Sequence, residues 1–364
     1  IRHNPLAEDA ETVDVGGAVV IPGFCDSHTH PVFSGARISD FALRTAGADY
    51  AAVKAGGGGI ISSVKGVRES SESALKKKLL ARAEKFLMAG TTTIEAKSGY
   101  GLSKESEIKS LRAIRHAAAE CPLGMVPTLL AAHSLPPEFS DADSYVSHIM
   151  AEIIPAVGAE KLAVFADIFC ERGFFTPAHV RELMACAKAH GLKPKVHAEQ
   201  FTHCGGLEAA ADCGAVSADH ADLADSRDIG LLKSSGTVAT LLPASNHFLG
   251  LSKFPPARAL IDGGAAVALA TDFNPGTSPC WNMQFVLSLA CTHMGMTPEE
   301  ALCAATVNGA CAMGLSGTAG RIEVGLPADF AVMDVDDYRE LCYYFGDNMC
   351  VMTVKNGESV YISG

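Results

Sequence analysis

Eight short apolar runs, each followed by a stretch of helical spacing, constrain this chain more than any other feature. They are Ala18–Phe24, Thr91–Ala96, Met125–Ala132, Leu162–Phe169, Pro194–Ala198, Ala215–Ala218, Thr237–Leu242 and Ala265–Ala270. Each is continuous rather than alternating, which is how a strand reads when both its faces are buried in a parallel sheet. Between them, residues 71–89 place Leu75, Leu79, Ala83, Phe86 and Leu87 at helical spacing, and Gly90 ends the pattern. A second helix opens on Thr176 and Pro177 and closes before Gly191. Thr297-Pro298-Glu299-Glu300 reads as a capping box that starts another. Eight strand–helix repeats predict an α/β fold of the (β/α)8 barrel type.

The two ends differ from the middle. "GRIEVGLPADFAVMDVD" and "VMTVKNGESVYISG", the latter with an Asn356-Gly357 turn, read as hairpin material. The polar start, 1–17, carries a β-like "ETVDV". The expected organisation is a barrel over 21–320 and a small β-sandwich domain assembled from 1–20 and 321–364. Gly56–Gly59 is expected to be a flexible loop.

Reactive residue types sit at the C-terminal ends of these runs, the end where barrels build their sites. His28 and His30 follow the first run, Tyr100 the second, His133 the third and Glu171 the fourth. His197 and Glu199 close the fifth and His220 the sixth; Asn246 and His247 follow the seventh, and Asp272 closes the eighth. Residues two apart on a strand share a face, so His28 and His30 can point together into the barrel mouth. His197 can join them across the barrel and Asp272 can add a carboxylate. Three imidazoles and a carboxylate suit one metal ion with a position left for water: Zn2+, slightly preferred, or iron in its divalent or trivalent state. Such an ion lowers the pKa of its water from about 15.7 towards 7 and so gives a nucleophile at neutral pH. His116, His148, His179 and His190 lie within helical patterns or at their ends and are expected to be solvated. Lys97 reads as a structural ion pair, with a carbamylated, metal-bridging lysine as the other option.

Charge narrows the partners. A net charge of −12 argues against nucleic acid and against an anionic membrane surface. No apolar run reaches the roughly 18 residues of a membrane span. The 12 cysteines include no CxxC and suggest reduced, buried thiols in a cytoplasmic protein. An anionic substrate would need a local cation to hold it.

The order of HxH, His, His and Asp at strand ends one, five, six and eight resembles the amidohydrolase superfamily. Those proteins are metal-dependent barrel hydrolases, often with a β-sandwich made from both chain ends. The segments "GFCDSHTHPVFSGAR", "AGGGGI", "EAKSGYG", "AAHSLPPE", "HAEQ", "SADH" and "ATDFNPGTSP" are similar to the cyclic-amidase branch that opens 4-imidazolone-5-propanoate in histidine degradation. They span Gly23 to Pro279 in that branch's order. The resemblance implies that His28, His30, His197 and Asp272 hold the metal. It implies substrate contacts from Arg37, Tyr100 and His133, and further contacts from Gln200, Asn274, Gly276 and Thr277. Asp272 would shuttle the proton and His220 would stabilise the transition state. Some relatives carry Glu where this chain has Gln200; strand alternation instead turns Glu199 to the face of His197, as a catalytic group. The seventh-run segment "LLPASNHFLG" departs from the branch's usual aromatic run. The branch has more strand before its HxH, so the N-terminal part of the β domain is expected to be truncated. The expected partner is a small anionic substrate, with no nucleic acid or membrane, in a homodimer. Another cyclic amidase or a deaminase of the superfamily, and a non-catalytic barrel used for assembly, remain the alternatives.

Overall fold

The computed structural model describes residues 12–47 and 58–364. Residues 1–11 and part of the glycine run, Gly56 and Gly57, lie outside the described residues. Of the β-like start, Thr12–Val15 form no strand.

The first apolar run is not one strand. Val19–Pro22 is β1, which pairs antiparallel with β10 (Phe330–Met333) in a small sheet, whereas Phe24–Asp26 is β2, the first barrel strand. Gly23 is the joint between them. A Cβ there would overlap the Thr92 side chain, so only glycine lets the chain pass this close to the barrel wall. Periodicity could not divide the run, because both pieces are short, apolar and extended.

The barrel then continues in sequence order: β3 (Thr91–Lys97), β4 (Gly124–Ala132), β5 (Phe165–Cys170), β6 (Lys193–Ala198), β7 (Ser217–His220), β8 (Val238–Leu241) and β9 (Val267–Leu269). Neighbouring strands are parallel, from the β2–β3 pair to the β8–β9 pair. The last and first strands meet just past their C-terminal ends. There Thr29 bridges Phe273 in parallel, the Asp272 amide donates to the His28 carbonyl (3.1 Å), and the His30 amide donates to the Phe273 carbonyl (2.8 Å). The seam of the barrel therefore runs directly through the histidine pair.

The helices follow their sequence signals. The Ser71 side chain caps Glu72–Met88, which buries Leu75, Leu79, Ala83, Phe86 and Leu87 against the barrel. Thr176 caps Pro177–Ala189, and Thr297 with Glu300 forms the capping box of Pro298–Ala305. One histidine departs from expectation. His179 is buried and completes the Thr176 capping box, with its Nε2 2.6 Å from Asp143. The third helical position after a cap faces back towards the cap, so a histidine there need not point to solvent. His116 and His190 are exposed and His148 is half-buried.

β1, β10, β11 (Cys350–Lys355) and β12 (Glu358–Ile362) form one four-stranded antiparallel sheet. Asn356 (φ +51°) and Gly357 (φ +85°) make the two-residue turn between β11 and β12. All 12 cysteines are free; Cys25, Cys170, Cys213, Cys342 and Cys350 are buried. Cys303 is exposed, because its position on the Pro298–Ala305 helix faces away from the buried Ala301, Ala304 and Ala305.

Candidate active site and metal centre

His28 and His30 leave the end of β2 with both rings turned inward, buried at 0 % and 3 % exposure. Their Nε2 atoms lie 3.1 Å apart. His197, near the end of β6, brings its Nε2 to 3.4 Å from that of His30. Asp272, just after β9, places Oδ1 3.6 Å from His28 Nε2 and 3.5 Å from His30 Nε2. A tetrahedral ion with ligands at about 2.0–2.1 Å holds them about 3.3–3.4 Å apart. His28, His30 and Asp272 thus stand 3.1–3.6 Å from one another and His197 joins them through His30, spacings that a shared ion could bridge. Borderline nitrogen ligands with a hard carboxylate fit a first-row divalent ion.

The neutral state of these rings is built in. Burial pushes the imidazoles of His28, His30 and His197 well below their ordinary pKa, and neighbouring Lys97 and the other rings add to it. Two carboxylates lie beneath them. Asp219 Oδ2 sits 2.6 Å from His28 Nδ1, and Asp167 Oδ2 sits 2.9 Å from His197 Nδ1. Asp219 is hydrogen-bonded to His28 Nδ1, which holds the proton there and leaves the Nε2 lone pair facing inward, while Asp167 sets a negative charge beside His197 Nδ1. Sequence reasoning misses these two aspartates. Their only signal is a charged residue inside an apolar run (Asp167, in "FADIF") or directly at its end (Asp219, in "SADH").

A buried ionic floor holds those carboxylates in turn. Lys97 Nζ lies 2.7 Å from Asp167, 2.8 Å from Glu95 and 3.5 Å from Asp219, and Lys195 Nζ lies 2.9 Å from Glu95. Burial alone would lower the Lys97 pKa, but Asp167, Glu95 and Asp219 outweigh it and hold the ammonium charged. Lys97 is thus an ion pair with no free approach, in line with its structural reading. Lys195 also donates to the Ser27 carbonyl (2.9 Å), which steadies the backbone entering the histidine pair.

His220 and Asp272 lie at the edge of this cage. The His220 ring centroid is 5.5 Å from that of His197, and its Nδ1 is 3.6 Å from Asp222 Oδ2. Burial opposes its charge, but Asp222 and Asp272 reverse the balance and raise its pKa. Burial pushes the Asp272 carboxyl up to about 6, against the pull of His220. His220 (φ +78°), Asp272 (φ +52°) and Glu199 (φ +55°) are all held in the left-handed region. Strain of that kind gathers at functional strand ends.

Above the cage opens a chamber of about 540 Å3, lined by His30, His197, His220 and Asp272 at its floor. Arg37, Tyr100, His133, Gln200, Asn274, Gly276 and Thr277 also line it, together with Phe169, Phe174 and Phe201. Arg37 reaches in over Gly276, where any Cβ would overlap its guanidinium. It stands beside Tyr100, whose phenol burial pushes well above its ordinary pKa. His133 stacks on His30 (5.0 Å between ring centroids), and its Nδ1 donates to the Gly99 carbonyl at 2.9 Å. Its pKa falls to about 4 through burial, so it stands neutral. Asn274 spends its side chain on the loop: Oδ1 accepts from the Gly276 (2.8 Å) and Thr277 (2.7 Å) amides.

Glu199 is the departure. Its positive φ breaks strand alternation, and the carboxylate turns away from the His197 side to accept the backbone amides of Cys204 and Gly205 at 2.7 and 2.9 Å. Gln200 takes the place on the chamber wall that alternation gives to Glu199. Asn246 is bound by its amide to Asp222 Oδ1 (2.5 Å), and His247 is exposed.

The amidohydrolase family profile matches residues 19–360. The chain is 45 % identical over 360 residues to the imidazolonepropionase of Geobacillus kaustophilus, covering 99 % of this chain and 84 % of that protein. It is 45 % identical over 357 residues to the imidazolonepropionase of Rubrobacter xylanophilus, covering 98 % and 85 %. Among solved structures it is similar to a 5-methylcytosine deaminase from Klebsiella pneumoniae, with a TM-score of 0.73, 16 % identity and coverage of 98 % and 90 %. An adenosine deaminase from Xanthomonas campestris with bound zinc gives a TM-score of 0.71 at 19 % identity, covering 95 % and 81 %. At such identities the structural likeness speaks for the fold alone.

Proposed function

The chain belongs to the amidohydrolase family, and we propose that it works as an imidazolonepropionase, hydrolysing the cyclic amide of 4-imidazolone-5-propanoate to N-formimidoyl-L-glutamate. The observation that carries the reading is one chamber with His30, His197 and Asp272 at its floor, His28 buried directly beside them, and Arg37 with Tyr100 on its wall. That pairing matches a substrate with a hydrolysable ring at one end and a carboxylate at the other.

His28, His30, His197 and Asp272 would hold one divalent ion, for which zinc is the first choice and iron the second. Bound there, the ion supplies Lewis acidity and an activated water. The protein groups do the rest. Arg37 grips the propanoate with its planar fork, which the acidic chain as a whole would otherwise repel. Tyr100 adds an O–H donor, and its raised pKa keeps that proton in place. Neutral His133 and Gln200 offer ring-edge hydrogen bonds. Asp272 accepts the proton of the attacking water and delivers it to the ring nitrogen as the C–N bond breaks. His220, whose pKa Asp222 and Asp272 raise against burial, faces the position where the oxyanion develops at the ring carbonyl and would stabilise it. We further propose a cytoplasmic homodimer; among the described residues no helix is long and apolar enough to cross a membrane.

The test is the loss of imidazolone absorbance as the ring opens. Turnover should vanish with a strong chelator and return with zinc or iron. Asp272→Asn should lower kcat by at least about 10²–10⁴-fold, the range of general acid–base catalysis. Near-normal kcat in that variant would remove the proton shuttle from the scheme. Turnover of guanine or cytosine with none of the imidazolone would move the chain to the deaminases.

A further inference from the structure

The segment Glu199–Gly206 forms part of the chamber rim and carries Gln200 and Phe201 into its lining. It is fastened by two buried carboxylates. Glu199, fully buried, accepts the backbone amides of Cys204 (2.7 Å), Gly205 (2.9 Å), Gly206 (2.6 Å) and Leu207 (3.4 Å). Glu171 comes from the neighbouring rim loop after β5. It is 3 % exposed and accepts the amides of Arg172 (2.9 Å), Phe201 (2.8 Å) and Thr202 (3.2 Å), and the Thr202 hydroxyl. Apart from the Leu207 amide in the first turn of the helix that follows, the hydrogen-bond partners of both carboxylates among the described residues are on these two rim segments.

A buried carboxylate is stable only when donors meet its lone pairs, so two of them on one loop act as fixed anchor points. The loop has no regular structure from Glu199 to Gly205 and no ladder of its own to hold it. Glu199 keeps its strained φ of +55° because the amides of 204–207 converge on it. The turn that sends this carboxylate backwards is the same turn that sends the next residue, Gln200, to the chamber.

We propose that Glu199 and Glu171 are positioning residues: a pair of anionic staples that lock the 199–206 rim and so set where Gln200 and Phe201 stand against the bound ring. Glu199 does not line the chamber, whereas Gln200 does. Gln200 is the contact, and the two glutamates fix its place. Their role in binding rests on the reading of the chamber as an imidazolone site.

Glu199→Gln, in the metal-loaded protein, is the test. One carboxylate oxygen becomes an amide that cannot accept from the converging N–H groups. The KM for the imidazolone should rise about tenfold with kcat changed by less than about threefold, the mark of lost substrate positioning. Metal content should equal that of the parent. Amide hydrogens of 201–207, followed without substrate, should exchange at least about tenfold faster. Thr202→Val removes one donor to Glu171 and should give a smaller change of the same two kinds, which serves if Glu199→Gln does not fold. A kcat loss of about 10³-fold at constant KM would make Glu199 a catalytic group and overturn the proposal. Unchanged exchange in 201–207 would overturn it as well. If the parent protein fails to open the imidazolone, the functional reading falls, while the exchange measurement still decides the staples.

Discussion

Asp272 and the three imidazoles around it have opposite titration problems, and the difference predicts how the protein takes up metal. Burial keeps His28, His30 and His197 deprotonated far below neutral pH, so they are ready as ligands. The same burial raises the Asp272 carboxyl to about 6, so in the metal-free protein this ligand still holds a proton below that pH. A ligand must lose its proton to bind, so apparent zinc affinity should fall about tenfold per pH unit below pH 6 and level off above about pH 7. Competition with a chromogenic chelator across pH 5–8 measures it. A flat profile would show that Asp272 is not the titrating ligand. Asp219→Asn should leave the pH dependence in place but weaken zinc binding about 10–100-fold, because the His28 Nδ1 proton loses its charged acceptor. Residue types at strand ends make the meeting of His28, His30, His197 and Asp272 at one end of the barrel legible in the sequence alone. Asp167 and Asp219 are not legible in the same way, since nothing in an apolar run says whether its one charged residue faces a histidine, a lysine or nothing.

At the scale of elements, the joint at Gly23 decides how one apolar run serves two sheets. β1 and β2 leave it in different directions, and Thr92 of β3 fills the space where a side chain would go. Gly23→Ala should therefore destabilise the fold by about 1–3 kcal/mol, as overpacking does in a closed core. Equilibrium denaturation reads the loss, and adding Thr92→Ala should recover part of it. Full additivity of the two substitutions would mean that they do not share this contact. The helices are legible to within a residue or two because capping is local: Ser71, Thr176 and Thr297 each cap the helix that their sequence marks. The Glu199 turn is not, because strand alternation holds only while φ stays in the β region.

For the molecule as a whole, the candidate metal ligands join the first, fifth and eighth barrel strands, and the seam of the barrel passes between His28 and Asp272. An ion held by these four residues ties distant parts of the chain in the folded state alone. It should stabilise the protein by about 2.7 kcal/mol at a free concentration a hundredfold above its Kd. Calorimetry with and without chelator should show a lower unfolding temperature for the metal-free protein. An unchanged value would mean that the nest does not hold metal in solution. The net charge of −12 acts at this scale too: it repels an anionic substrate in general, so the proposed capture of one would rest on local cations, and Arg37 and Arg44 both line the chamber.

The sequence by itself determined the repeat of strand and helix, the end of the barrel where chemistry collects, and the residue types available there, because strand period, capping and ligand chemistry are all local. Tertiary structure alone decided the rest. It chose which carboxylates orient the metal-facing rings, it split the first apolar run between two sheets, and it turned Glu199 into the rim and Gln200 into the chamber. Those outcomes depend on which residues meet across the barrel, at separations such as the 191 positions between His28 and Asp219, and no local pattern encodes that meeting.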